Sequence, residues 1–279
     1  MGTEVENKEI KIKNGHEMLR ELCSFEADIN CFTNNLNPIS NRVQYIMAQL
    51  DANNIVYKID KYQPIKDTPD FIEGLPVEVN IIVEIEGLNQ DLTTVFTAHH
   101  DVANMHSENA QDNSASVCNL LDLCIRLSNN KPANNVVVCF NDSEEKVLPN
   151  TCGIKRFSNQ IIEGKYGKVK CLFVLELTAV GNCYWMSYFK ENLASKTIRE
   201  INLTTIRVRT PYSDAFVTEK MGIDSVCIGS LNEGNMRAVE TSGYCHTWSL
   251  CHSLEDKFEN ANEGDMSAFV NFLETLIQN

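Results

Sequence analysis

The sequence predicts an α/β domain: a three-layer helix–sheet–helix sandwich around a mixed central sheet. Short apolar runs of strand type alternate with segments of helical period along most of the chain. The innermost runs, "NNVVVCFN" (Asn134–Asn141) and "KCLFVLELTA" (Lys170–Ala179), are nearly continuous in apolar residues, as strands covered on both faces are. No stretch rich in Pro, Gly or Ser divides the 279 residues, and that length suffices for one large core. The expectation is a single domain over 1–279, with the polar residues 1–15 as a flexible N-terminal segment.

The elements follow in order. Met18, Leu19, Leu22 and Phe25, then Val43, Ile46, Met47 and Leu50, carry helical spacing, broken by "NNLNPISN" with Pro38 suited to a helix start. "IVYKIDKYQ" (Ile55–Gln63) alternates like a half-exposed strand. "VEVNIIVEIEG" (Val77–Gly87) and "DLTTVFTA" (Asp91–Ala98) read as two further strands joined by a short turn. "SASVCNLLDLCIRLS" (Ser114–Ser128) is apolar on one helical face, and "GIKRFSNQII" is a helix. "SDAFVTEKMG" is a helix, "IDSVCIGS" a strand, and "NEGDMSAFVNFLETLIQ" an amphipathic closing helix.

Composition excludes several classes. A formal net charge of −14 argues against nucleic acid or an anionic membrane as partner, because phosphates would be repelled. No apolar run approaches the ~18 residues that a membrane span needs. The N-terminus lacks the apolar core of a secretory signal, and Glu6 stands where the myristoylation pattern needs Ser or Thr. The eleven cysteines form no C-x-x-C pair and read as reduced, buried thiols, so the expected location is cytoplasmic.

In layered α/β folds, ligands bind beyond the carboxyl ends of the strands. The unusual polar residues fall there: His99 and Asp101 after the strand ending at Ala98, Asp112 at the next helix start, and Glu144 and Glu145 after the strand ending near Phe140. Glu176 lies late in "CLFVLEL", and His252 lies ahead of the final helix. Taken singly, Asp112 reads as an N-cap and "SEEK" as an exposed acidic loop. Glu176 resists such a reading, because a carboxylate among Cys, Leu, Phe and Val is costly to bury without a cation. His100 points away from His99 and Asp101 in an extended chain, and His16, His106 and His246 read as structural or exposed. As a set, two histidines and three carboxylates suit Zn²⁺. Asp101 is spaced to hold the second ring nitrogen of His99. An acidic bridge between two ions makes a co-catalytic hydrolase centre, and paired glutamates can divide between binding metal and taking a proton.

Five motifs, "AHHDV", "AQDNSAS", "FNDSEEK", "LELTAVG" and "CHSLEDKF", come in the order found in the co-catalytic zinc aminopeptidases and their relatives, the glutaminyl cyclases, and the chain resembles that family from about Leu19 onward. "SDAFVTEKMGIDSVCIG" resembles a further family segment. The resemblance implies two zinc ions. His99 and Glu176 would hold one, Glu145 and His252 the other, and Asp112 would bridge them. It makes Glu144 the general base, Asp101 the holder of His99, and Asp256 a support of the last loop. Tyr244 is the candidate oxyanion donor. Thr178 is the alternative to Glu176 in the strand register, and a poor zinc ligand.

The function this implies is a zinc-dependent aminopeptidase acting on short peptides. Its alternatives are a single-zinc glutaminyl cyclase-like acyltransferase and a non-catalytic member. A carboxypeptidase or deacylase would need an arginine to clamp a carboxylate, and the sequence places none of Arg207, Arg209 or Arg237 at the site.

Overall fold

The computed structural model describes residues 13–25, 40–62, 78–104, 106–145, 153–210 and 213–278. Helix α1 (Gly15–Cys23) opens on a capping box in which Asn14 and Glu17 each accept the other's backbone N–H. The expected leading segment 1–15 thus reaches into this cap, and residues 1–12 lie outside the described residues. Ser40 caps α2 (Asn41–Ala52), and the expected helix start at Pro38 also lies outside them.

Strands β1 (Tyr57–Tyr62), β2 (Glu78–Ile85) and β3 (Asn89–His99) precede α3 (Ala115–Asn129), β4 (Asn134–Asn141), α4 (Gly153–Ile162) and β5 (Val169–Leu175). Then come β6 (Cys183–Ser187), α5 (Leu193–Ile201), β7 (Ile206–Arg207), α6 (Asp214–Lys220) and β8 (Ser225–Leu231). Helices α7 (Glu233–Ser242), α8 (His246–Leu250) and α9 (Glu263–Gln278) close the described chain. The sequence reading did not place β6, β7, α5, α7 or α8.

The strands form one mixed sheet in the order β1-β2-β4-β3-β5-β8-β6-β7. β4, β3, β5 and β8 run parallel, while β2 pairs antiparallel with β1 and β4, and β6 antiparallel with β8. Helices cover both faces. Phe96, Val138, Phe140, Phe173 and Leu175 point into one core with α1, α2, α3, α5 and α9. Val95, Val137, Cys139, Leu172 and Val174 point into the other with α4, α6 and α7. Two buried faces explain why the central strands read as unbroken apolar runs. The nine described cysteines are free thiols. No helix of the described residues is long and apolar enough to cross a membrane.

Candidate metal centre

Parallel register sets the site. Thr97 of β3 lies level with Val174 of β5, and His99 lies level with Asn141 at the end of β4. Two residues beyond Val174 stands Glu176, so His99 and Glu176 leave one sheet edge on the same face. β5 ends at Leu175, four residues short of the expected Ala179. Glu176 is the first residue past it, and Leu177 at φ +55° turns the chain away.

Four of the segments that bring candidate residues to the site carry a non-glycine residue in the left-handed region, while the one bearing His99 and Asp101 does not. The left-handed residues are Asn109 before Asp112, Ser143 before Glu144, Leu177 after Glu176, and His252 itself. Such conformations cost of order 1–3 kcal/mol each and persist where the surroundings over-determine them, as they do at functional sites. Asp112 is not the N-cap of α3. It sits in a wide turn, Ala110–Ser114, with φ −119° and ψ 90°, and α3 begins only at Ala115.

The side chains converge around Asp112. One of its carboxylate oxygens lies 3.3 Å from His99 Nε2, and the other lies 3.1 Å from His252 Nε2. Glu176 stands 3.6 Å from His99 Nε2, and Glu145 stands 3.2 Å from His252 Nε2. On its other side, His99 Nδ1 lies 3.2 Å from the Asp101 carbonyl and 3.4 Å from its carboxylate. A proton on Nδ1 leaves Nε2 free as a ligand. The Asp101 carboxylate also accepts the backbone N–H groups of Glu144 and Glu145, at 3.2 and 3.0 Å, and so fixes the glutamate pair.

His100 turns the other way, its Nε2 lying 2.8 Å from the Val79 carbonyl. Thr178, the alternative in the β5 register, faces Ser116 and Asn119 and not the pocket. Tyr244 lines the pocket on the loop after α7 and is 55% exposed. Asp256, fully buried, accepts the N–H groups of Gln111 and Asp112. The remaining histidines lie elsewhere: His16 packs on Phe258, His106 is exposed, and His246 begins α8.

The pocket has a volume of about 1100 Å³, and four carboxylates line it with two histidines: Asp112, Glu144, Glu145 and Glu176, with His99 and His252. The crowding of acid shows in the proton affinities. Burial pushes Glu144 well above the usual carboxylate range, and Asp214, Glu176 and Glu145 add to the push. Burial and the Asp112 charge raise Glu145 to about 7. Burial would lower His99, yet Glu176, Asp101 and Asp112 together hold it well above the ordinary imidazole value. The hydrogen bond to Asp112 lifts His252 to about 9. Burial would raise Asp112, but its two histidine partners pull it down.

These groups fit a divalent metal. Donor atoms of His99, Asp112 and Glu176 lie within 4.8 Å of one another, as do those of Asp112, Glu145 and His252. The Glu145 Oε1 atom is buried without a hydrogen-bond partner among the described residues. A cation there would satisfy it and reverse the repulsion that now raises the carboxylates.

Sequence reasoning missed Asp214. It is 1% exposed, accepts a hydrogen bond from Asn141 Nδ2 at 2.6 Å, and is driven up to about 7 by burial and by the Glu176 charge. Asn141 in turn is bonded to Thr97. The "SDAF" motif was the available signal, but a serine–aspartate pair at a helix start reads first as a cap.

Fold and site together define a layered α/β protein with a carboxylate–histidine cluster, able to hold a metal, at the carboxyl edge of its parallel strands. The profile of peptidase family M28 matches residues 80–275, and the chain belongs to that family. Among solved structures it is similar to glutaminyl cyclase from Bacteroides thetaiotaomicron, at 15% identity and TM-score 0.71, covering 95% of this chain and 97% of that one. A leucine aminopeptidase precursor from Bacteroides thetaiotaomicron VPI-5482 gives 15% identity and TM-score 0.70, over 96% of this chain and 98% of that one. A Zn-dependent exopeptidase from Parabacteroides distasonis ATCC 8503 gives 13% and 0.67, over 96% and 99%. No curated protein matches the chain in sequence.

Proposed function

We propose that the chain is a zinc-dependent aminopeptidase that removes N-terminal residues from short peptides, with two ions held through Asp112. The observation that carries this reading is the placement of the two Asp112 oxygens against His99 and His252, at 3.3 and 3.1 Å. His99 and Glu176 complete one ligand set, and Glu145 and His252 complete the other. Zinc bound there supplies Lewis acidity, lowering the pKa of water and polarising a carbonyl.

This chain's own residues do the rest. Glu144 takes a proton from the attacking water and passes it to the leaving amine, and its buried setting gives it the raised proton affinity that a shuttle at neutral pH needs. Asp101 orients both His99 and the Glu144–Glu145 turn. Tyr244 is the candidate donor to the developing oxyanion. Leu177, Trp185 and Trp248 offer an apolar wall to the substrate side chain.

A second reading has its own support. Asp112, Glu145 and His252 alone form a complete three-ligand set, which is all that a single-zinc acyltransferase cyclising N-terminal glutamine needs. Mass spectrometry of zinc-loaded protein with leucyl and glutaminyl peptides separates the two. Release of the free N-terminal residue supports the peptidase. Loss of ammonia from the glutaminyl peptide, with leucyl peptides untouched, supports the cyclase.

A further inference from the structure

Arg209 lines the same pocket with its charge uncommitted. Arg42, Arg126, Arg156, Arg199, Arg207 and Arg237 each donate to a fixed carbonyl, hydroxyl or carboxylate. Arg209 has no such partner among the described residues, in a chain of net charge −14. The backbone on either side of it is nonetheless anchored. The Val208 N–H donates to the Met186 carbonyl at 2.9 Å, and the Thr210 N–H and hydroxyl both donate to the Ser187 hydroxyl, at 3.3 and 3.0 Å.

The rings of Trp185 and Trp248, which meet edge to face at 5.9 Å, line the same pocket but keep their indole N–H groups buried, so Arg209 is the donor open to a ligand there. A guanidinium can only donate. This part of the pocket therefore calls for an acceptor, while the carboxylate-rich metal cluster calls for cations. A ligand satisfying both has a cationic amine and an anionic acceptor. Carboxylate fits best, because a guanidinium fork matches it with paired, charge-assisted bonds. The overall acidity of the chain repels anions, so such a ligand needs a local cation.

We infer that Arg209 binds a carboxylate of the substrate and makes the site selective for peptides that carry one. The inference rests on the pocket being the peptide site proposed above. The carboxylate is either the acidic side chain of the N-terminal residue or the free carboxyl terminus of a dipeptide, and a pocket of about 1100 Å³ has room for both.

Two matched pairs separate these sources: Glu-Ala-amide against Gln-Ala-amide, and Leu-Ala against Leu-Ala-amide, scored by release of alanine or alanine amide. Zinc-loaded wild type is expected to favour the carboxylate member of one pair by ~10-fold or more in kcat/KM, chiefly through KM. Arg209→Ala is expected to shrink that ratio to within about twofold, with Arg209→Lys between, while thermal midpoint and zinc content stay at wild-type values. No preference in either pair, or an undiminished preference in Arg209→Ala, overturns the inference. If no probe is hydrolysed, the peptidase reading fails by itself, and calorimetric titration with L-glutamate decides the inference separately. Binding weakened ~10-fold or more by Arg209→Ala sustains it, and absent or equal binding overturns it.

Discussion

Asp256 holds Asp112 in place: one carboxylate oxygen accepts the Asp112 N–H at 3.1 Å, and the other accepts the Gln111 N–H at 2.7 Å. Asp256 is fully buried, so these bonds are sheltered from water. Asp256→Ala would leave two N–H groups unmatched, each costing about 1–3 kcal/mol. It would also loosen the residue on which both proposed ligand sets depend. Denaturant unfolding is expected to show lower stability, and chelator competition a ~10–100-fold weaker hold on zinc. Unchanged zinc affinity would show that Asp112 keeps its position unaided.

Glu144→Gln removes the proton acceptor but none of the proposed ligands. Peptide turnover is expected to fall by ~10²–10⁴-fold while zinc content stays at the wild-type level. Loss of zinc from this variant would instead make Glu144 a ligand.

Gly229 lies in β8, where a β-carbon would collide with the Glu176 carbonyl oxygen and with the Trp185 ring. Gly229→Ala must shift β8 or Glu176, at a cost of about 1–3 kcal/mol. Activity is expected to fall with stability, as read from a lowered denaturation midpoint and kcat/KM together. A variant with a wild-type midpoint would show that the sheet gives way there at no cost.

The sequence made the centre of the sheet legible, because β4 and β5 are buried on both faces and leave long apolar runs. It also exposed the candidate ligands, since charged groups at the carboxyl ends of such strands stand out. It did not expose β6 and β7. "CYWMS" is short, and Ile206–Arg207 is too brief to show any period. Helix α5 was marked by its Asn192 cap and α7 by Asn232 and Gly243, signals at the ends of segments whose interiors are mostly polar. The pocket wall was invisible for a different reason. Trp185, Arg209 and Trp248 line one pocket only because β6 pairs with both β7 and β8, and no local pattern encodes that.

Burial raises Glu145 and Asp214 to about 7 and Asp256 to about 6, above their ordinary values near 4. Between about pH 4 and 7 the folded chain therefore holds protons that the unfolded chain has lost, and stability falls as pH rises. His252, raised to about 9, extends the fall from its ordinary ~6.5 upward. Asp112 has the opposite sign, and its contribution is lost as pH drops below its ordinary value of ~4. Zinc displaces these protons on binding. The rise in Tm on replacing EDTA by zinc is expected to grow steadily across pH 5.5, 7 and 8.5. A constant increment would place the metal away from these groups.

Metal content is the most direct test of the proposed two-ion centre. Wild-type protein, loaded with zinc and dialysed, is expected to retain two ions per chain by atomic emission, and His99→Ala to retain one, with peptide hydrolysis lost. A single ion in wild type, together with undiminished activity in His99→Ala, would contradict the bridging role of Asp112.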